Sequence, residues 1–95
     1  MPFKEKKQPS ESNLTGDLLE KNEDRWLVLH NDDLNTFDYV IESLIEVCEH
    51  DTEQAEQCTF IVHYKGKCEV KKGFFRQLKP LKEELTRRGL TATID

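Results

Sequence analysis

The sequence has no apolar run near the roughly 18 to 20 residues that span a bilayer, and charges stand at its N-terminus where a signal peptide is apolar. We therefore expect a cytoplasmic protein without a membrane partner. With 95 residues, 36% hydrophobic and 35% charged, the chain is predicted to form one small domain. Such a domain has a marginal core, which favours a shallow binding site over a deep catalytic cavity.

Cysteine is also sparse. Cys48, Cys58 and Cys68 are odd in number and lack Cys-x-x-Cys spacing, which argues against a disulfide framework and a zinc ribbon. Their spacing from His50 or His63 matches no recognised metal-ligand pattern. We therefore predict no metal site and no cofactor, and we assign the three thiols to the core.

Basic residues are scarce in the middle of the chain. Residues 25–63 carry one Arg against nine acidic residues, whereas residues 64–95 carry nine basic residues against four acidic ones. The basic half lacks the interleaved aromatic residues of a base-stacking surface, and the net charge of -5 repels phosphate. The sequence therefore predicts no nucleic-acid partner, and charged protein surfaces are the better expectation.

Composition divides the chain into two parts. Residues 1–23 are rich in Lys, Glu, Ser, Asn and Gln and contain few apolar residues, which predicts a flexible N-terminal tail. Residues 24–95 are predicted to form the folded domain.

Apolar periodicity predicts six elements in the order strand, helix, helix, strand, helix, strand. The strands are expected at Trp26 to Leu29, Lys67 to Lys71 and Leu90 to Ile94, and the helices at about 36–49, between Asp51 and Gly66, and at 74–88. This order predicts an α+β domain in which a small three-stranded antiparallel sheet packs with three helices.

Several residues are predicted to set the boundaries of these elements. Asn35 and Asp51 are candidate N-caps of the first two helices. Gly73 is expected to end the second strand, and Pro80 to kink the third helix or to begin its first turn. The apolar stripe of the second helix is assigned to Ala55, Cys58, Ile61 and Val62.

Polar side chains are concentrated in the loop His30 to Asn35 and at His63. Two carboxylates, an amide oxygen and a neutral imidazole form a set of acceptors suited to an ammonium group, which has three donors and no acceptor. The alternative is that Asn and Asp here satisfy local backbone donors as turn residues, and that His63 contacts the carbonyls at a helix end.

A catalytic interpretation of these residues lacks a nucleophile. Ser43 lies on a predicted helix without the Gly-x-Ser-x-Gly turn that presents a catalytic serine, and Cys58 belongs to a predicted apolar stripe. We therefore predict that the protein is not an enzyme.

Two segments carry a resemblance to a known family. Val28-Leu29-His30-Asn31-Asp32-Asp33 is followed, about thirty residues later, by Val62-His63-Tyr64-Lys65-Gly66-Lys67. Together they resemble the ClpS family, bacterial adaptors that recognise N-terminal degrons and deliver proteins to a Clp-family unfoldase. The resemblance implies an α+β fold similar to the C-terminal domain of the ribosomal stalk protein.

The resemblance also implies a role for individual residues. Asn31, Asp32 and His63 would hold the free α-amino group of a substrate. The side-chain pocket would be formed by Asn35, Phe37, Val40, Thr59, Val62 and Leu90. Phe37 and Thr59 stand where the family often has Met, so the shape of the pocket is expected to differ.

The function that the resemblance implies is an adaptor that binds N-terminal Phe, Leu, Tyr or Trp. It would dock on the N-terminal domain of a ClpA- or ClpC-type AAA+ unfoldase and deliver substrates for degradation by ClpP. The alternative is a stalk-like protein-interaction domain that regulates the unfoldase without binding degrons.

Overall fold

The structure, a computed structural model, describes residues 23–95. Its elements are β1 (Asp24–His30), α1 (Phe37–Cys48), α2 (Thr52–Lys65), β2 (Lys67–Phe74), α3 (Phe75–Arg87) and β3 (Thr91–Ile94). This order confirms the predicted α+β architecture. The tail predicted at residues 1–23 lies, except for its last residue, outside the described residues.

The sheet is built around β1. Its order is β2-β1-β3, and β1 pairs antiparallel with both neighbours. Leu27, Val28 and Leu29 are all buried, and the register with β2 shifts between Leu27 and Val28. The short apolar run in the sequence is therefore the central strand, whose backbone is hydrogen-bonded on both edges.

The helices bury their apolar stripes against one face of this sheet. Leu27 and Leu29 belong to a core cluster with residues of all three helices, which are Leu44, Val47 and Cys48 of α1, Ala55, Cys58 and Val62 of α2, and Leu78 and Leu85 of α3. Among residues 23–95, no helix combines the length and apolar character needed to cross a membrane.

The N-caps agree with the prediction for one of the first two helices. Asp51 caps α2, with its side chain accepting from Gln54 N–H at 2.7 Å. The prediction that Asn35 caps α1 is wrong, because Thr36 is the N-cap and accepts from Tyr39 N–H at 3.1 Å. The Asn35 amide is instead bonded to groups outside the helix.

The predicted apolar stripe of α2 is wrong at one position. Ile61 is 40% exposed, whereas Thr59 is buried. The helical period accounts for this, because the i+3, i+4 and i+7 positions from Ala55 are Cys58, Thr59 and Val62. Thr59 can be buried although it is polar, because its hydroxyl donates to Ala55 C=O at 2.7 Å.

Gly73 does not end β2, which continues to Phe74. A Cβ at Gly73 would lie 2.9 Å from Gln77 Oε1, the atom that accepts from Phe74 N–H at 2.8 Å. The absence of a side chain at Gly73 thus allows the strand and the first turn of α3 to approach each other closely.

Pro80 lies inside α3, at its sixth residue, so the prediction that it begins the first turn is wrong. Pro80 and Arg76, four residues earlier, are both exposed. Because proline has no backbone N–H, the Arg76 carbonyl lacks its usual hydrogen-bond donor within the helix. This carbonyl belongs to a residue that is in contact with water.

The Asp51 cap leads to a test of fold stability. Asp51→Ala removes the side-chain acceptor at the start of α2 and should lower the free energy of unfolding by about 1 kcal/mol. Asp51→Asn retains an acceptor and should remain near wild type. Urea unfolding of the three proteins measures the difference, and equal losses in both variants would show that charge rather than capping matters here.

Candidate functional site

A tight turn at the end of α2 brings His63 near the loop that follows β1. Gly66 adopts a left-handed conformation (φ 93°) and donates to Val62 C=O at 2.9 Å. Its own carbonyl then accepts from Asn31 N–H at 2.9 Å. This bond fixes the start of the loop against the helix end, and the exposed side chains of Asn31 and His63 line one cavity.

Asp32 organises the rest of the loop. Its Oδ1 accepts from Leu34 N–H at 2.8 Å, Asn35 N–H at 2.9 Å and Asn35 Nδ2 at 3.1 Å. Its Oδ2 accepts only from Asn35 Nδ2, at 3.0 Å, among the described residues. The predicted alternative of a local turn role therefore holds for Asp32, yet Oδ2 retains a lone pair for a further donor.

The environment of Asp32 keeps its carboxyl group ionised. Partial burial opposes ionisation, but the hydrogen bonds from the Asn35 side chain and from the backbone of Leu34 and Asn35 outweigh it and lower the pKa of Asp32. A carboxylate held in this way is negatively charged throughout the physiological pH range.

Two bonds connect the loop and the first turn of α1 to the turn between α3 and β3. Asn35 Nδ2 donates to Gly89 C=O at 3.1 Å, and the Tyr39 hydroxyl donates to Arg88 C=O at 2.7 Å. Leu90 follows directly and is buried. These bonds explain how a residue about sixty positions from Asn31 comes to line the same cavity.

The structure brings all nine predicted site residues together around one cavity of about 290 Å³. They are Asn31, Asp32, Asn35, Phe37, Val40, Thr59, Val62, His63 and Leu90. The volume is at the lower end of the range for ligand sites, about 300 Å³, which suits one side chain and a chain terminus. Volume alone does not identify it, since a cavity of about 360 Å³ lies beside Val28 and Ile61.

Four lining residues are absent from the predicted set. Leu29, His30, Asp33 and Thr36 also line the cavity. The sequence predicts that Leu29 lies in a buried strand, counts Asp33 as one of the two carboxylates of the acceptor set, and gives His30 no specific role in the polar loop. Their position could have been found from the sequence, because they flank the predicted site residues directly.

Polar and apolar groups occupy different parts of the lining. The loop contributes the Asn31 amide and the Asp32 carboxylate, whereas Val40, Val62 and Leu90 contribute apolar surface. Thr59 belongs to the apolar part, because its hydroxyl is already bonded within α2. The cavity is therefore suited to a ligand with a cationic group next to an apolar side chain.

Metal binding and catalysis by a cysteine thiol find little support in the described residues. Among residues 23–95, no three His, Cys, Asp or Glu side chains are arranged to hold a metal ion. Burial raises the pKa of the Cys48 thiol to about 11 and that of Cys68 to about 12. Both thiols are thus held in the protonated form, which is a weak nucleophile.

The lowered pKa of Asp32 predicts how stability depends on pH. Because folding favours the ionised form, the stabilisation is present above the ordinary pKa of 3.8 and is lost as pH falls through the folded-state pKa. Asp32→Asn keeps an acceptor but not the charge. Its deficit in unfolding free energy at pH 7 should shrink as pH falls below 3.8, and a deficit that stays constant would contradict this.

A carboxyl titration followed by NMR gives an independent measurement. Asn35→Ala removes the side-chain donor to both Asp32 oxygens and should raise the pKa of Asp32 towards 3.8. Asp38→Asn, an exposed neighbouring change, should leave it unaltered.

Comparison with known proteins identifies the family. The model of the family described as ATP-dependent Clp protease adaptor protein ClpS matches residues 20–93, which confirms the resemblance seen in the two sequence segments. No curated protein matches the chain. Among solved structures, Agrobacterium tumefaciens ClpS2 bound to L-phenylalaninamide has the same fold, with a TM-score of 0.66 and 18% identity over 77% of this chain and 95% of that one. The chain belongs to the ClpS family of adaptor proteins of the ATP-dependent Clp protease.

Proposed function

We propose that this protein captures substrates by their N-terminal residue, usually Phe, Leu, Tyr or Trp, and delivers them to a ClpA- or ClpC-type unfoldase for degradation by ClpP. The chain belongs to a family of adaptors of the Clp protease, which supports a role other than catalysis. The choice of unfoldase, the docking on its N-terminal domain, the action in the cytoplasm and the roles of individual site residues are parts of the proposal.

One observation carries the proposal, namely the convergence of acceptor groups and apolar side chains on a single cavity. A substrate N-terminus combines an ammonium group with an adjacent side chain, and these two features match the two parts of the lining. The Agrobacterium relative holds L-phenylalaninamide, which has a free α-amino group and a phenyl ring. This ligand supports the same assignment for the present cavity.

The α-amino group would be held by three residues. Asp32 Oδ2 accepts one bond within the described residues and can accept another from the ammonium. The side chains of Asn31 and His63 make no hydrogen bond within residues 23–95 and can supply the remaining acceptors. The first side chain would then enter the pocket formed by Asn35, Phe37, Val40, Thr59, Val62 and Leu90.

Acetylation of the peptide provides the decisive test. A Phe-initiated peptide should bind at least tenfold more tightly than its N-acetylated copy, because a hydrogen bond to a charged group is worth about 1.5 to 3 kcal/mol. Fluorescence polarisation with both peptides measures this difference. Equal affinities for the free and the acetylated peptide would contradict the proposal. They would favour the alternative, a stalk-like domain that regulates the unfoldase without binding degrons.

Single variants separate direct contacts from the general electrostatic field. Asn31→Ala and Asp32→Asn should each weaken binding of the free peptide by roughly tenfold. Asp38→Asn removes the same charge from an exposed position outside the cavity lining and should have little effect. Similar losses in Asp32→Asn and Asp38→Asn would indicate long-range attraction instead of contact.

The role of His63 predicts a pH dependence. An imidazole accepts a hydrogen bond only while neutral, so the proposed contact predicts weaker binding at pH 5.5 than at pH 7.0. Asp32 stays ionised over this window because its pKa is lowered, and it contributes no dependence. Peptide affinities measured across the window give the profile.

Two other histidines require controls. His30 also lines the cavity, and its Nε2 lies 2.8 Å from Thr93 Oγ1. His30→Gln should retain the pH dependence, and His63→Ala should remove it. Circular dichroism at both pH values checks that buried His50 does not unfold the domain. A dependence that survives in His63→Ala would assign it to another group.

A further inference from the structure

A groove lies between α3 and β3, at an edge of the sheet. Within residues 23–95, β3 pairs with β1 alone, so its other edge faces this groove side of the domain. One face of α3 and the end of β3 form the lining, which consists of Phe75, Lys79, Lys82, Glu83, Thr93 and Ile94. The volume is about 290 Å³. We call it the α3–β3 groove.

The α3–β3 groove combines basic and apolar groups that are accessible to a ligand. Phe75 and Ile94 are half-buried, so part of each side chain remains in contact with solvent. Lys79 is exposed and Lys82 is half-buried, and neither forms a salt bridge within residues 23–95. Carboxylates next to aliphatic side chains are therefore the complementary ligand.

The sequence contains a segment with this chemistry. Residues 71–82 include five basic residues and no acidic one. Residues 10–20 include three acidic residues, no basic one and three leucines. We call residues 10–20 the acidic segment. It is complementary to the α3–β3 groove both in charge and in apolar character.

The chain enters the fold beside this groove. Asp24, the first residue of β1, pairs with Phe74. The next residue, Arg25, lies over the Phe75 ring at 5.8 Å and donates through its Nε to Asp95 C=O at 3.1 Å. The residues that precede β1 are therefore connected to the domain at the Phe75 end of the groove.

The connection is long enough for the acidic segment to reach the groove. Four residues from Asp24 back to Glu20 span at most about 14 Å when extended. Phe75 and Lys82 are seven residues apart in α3, which is about 10 Å along the helix axis. A short tether also gives an effective concentration of about 1 mM, so a segment with a Kd near that value would occupy the groove about half of the time.

We propose that the acidic segment is an intramolecular ligand of the α3–β3 groove. Its leucines contact Phe75 and Ile94, and its carboxylates pair with Lys79 and Lys82. The bound segment covers the edge of β3 and excludes other acidic chains from the groove. This contact begins at the opposite end of β1 from the cavity and does not depend on the proposed function.

Charge reversal tests the contact in the full chain. Asp17→Lys combined with Glu20→Lys should release the acidic segment, and so should Lys79→Glu combined with Lys82→Glu. NMR order parameters of the residue 18 and 19 amides should fall from above about 0.6 to below it on release. All four changes together should restore the ordered state, because the ion pairs are re-formed with opposite signs. A fourfold variant that stays released would overturn the pairing.

Matched controls change charge or apolar character alone. Glu5→Lys alters a residue outside the acidic segment, and Lys65→Glu alters the end of α2, outside the groove lining. Neither should change the order parameters. Leu18→Ser combined with Leu19→Ser keeps every charge and should still release the segment. Urea unfolding of each variant separates release of the segment from loss of the fold.

A free peptide with the sequence of residues 10–20 gives an independent measurement. It is N-acetylated, so it offers no α-amino group to the cavity. It should bind the Asp17→Lys, Glu20→Lys protein at least about twofold more tightly than wild type, whose own segment competes for the groove. It should lose this binding in the Lys79→Glu, Lys82→Glu protein. Equal affinity for wild type and the first variant would show that the groove of the wild type is empty.

The remaining outcomes identify other occupants or other causes. Order parameters that rise with protein concentration would assign the contact to the acidic segment of a second copy, and the intramolecular proposal would be wrong. Similar losses in the Lys65→Glu control and in the groove variants would indicate net charge instead of a specific contact. If both charge-reversal variants keep their order parameters, the acidic segment binds elsewhere or not at all.

Discussion

Backbone pairing of β1 on both edges is the constraint on which the cavity depends. With β2 on one side and β3 on the other, its residues Leu27 to Leu29 are buried and anchored at the centre of the sheet. The loop that begins at Asn31 therefore leaves the sheet at a fixed point. Gly66, directly before β2, and Leu90, directly before β3, are held on either side of that point by the same pairing.

Asp32 shows that a structural and a binding role need not exclude each other. One oxygen accepts three hydrogen bonds from the loop itself, and the other accepts one. The first set fixes the carboxylate in position and lowers its pKa. A preorganised charge of this kind costs little conformational entropy when a cation binds, which suits a shallow site in a small domain.

The sequence predicted most elements because their signals are local. Periodicity located the six elements, and Asp51 was recognised as a cap from its residue type and position. The predictions are wrong where a residue far away in the sequence determines the local structure. Asn35 is not a cap because its amide bonds to Gly89, and β2 continues through Gly73 because this residue pairs with Arg25 of β1. Neither partner is visible in a local pattern.

For the site, the sequence by itself determined the family resemblance and, through it, nine residues that the fold places around one cavity. It could do so because residue types and spacing identify the two segments. The bonds of Asp32 to its own loop and of Thr59 to Ala55 are local, but tertiary structure alone decided that both residues line the same cavity. It also decided that four rings from α1 and α2 meet at the cavity mouth. These contacts depend on how two helices pack, and packing distances between side chains far apart in the chain are not encoded in any local pattern.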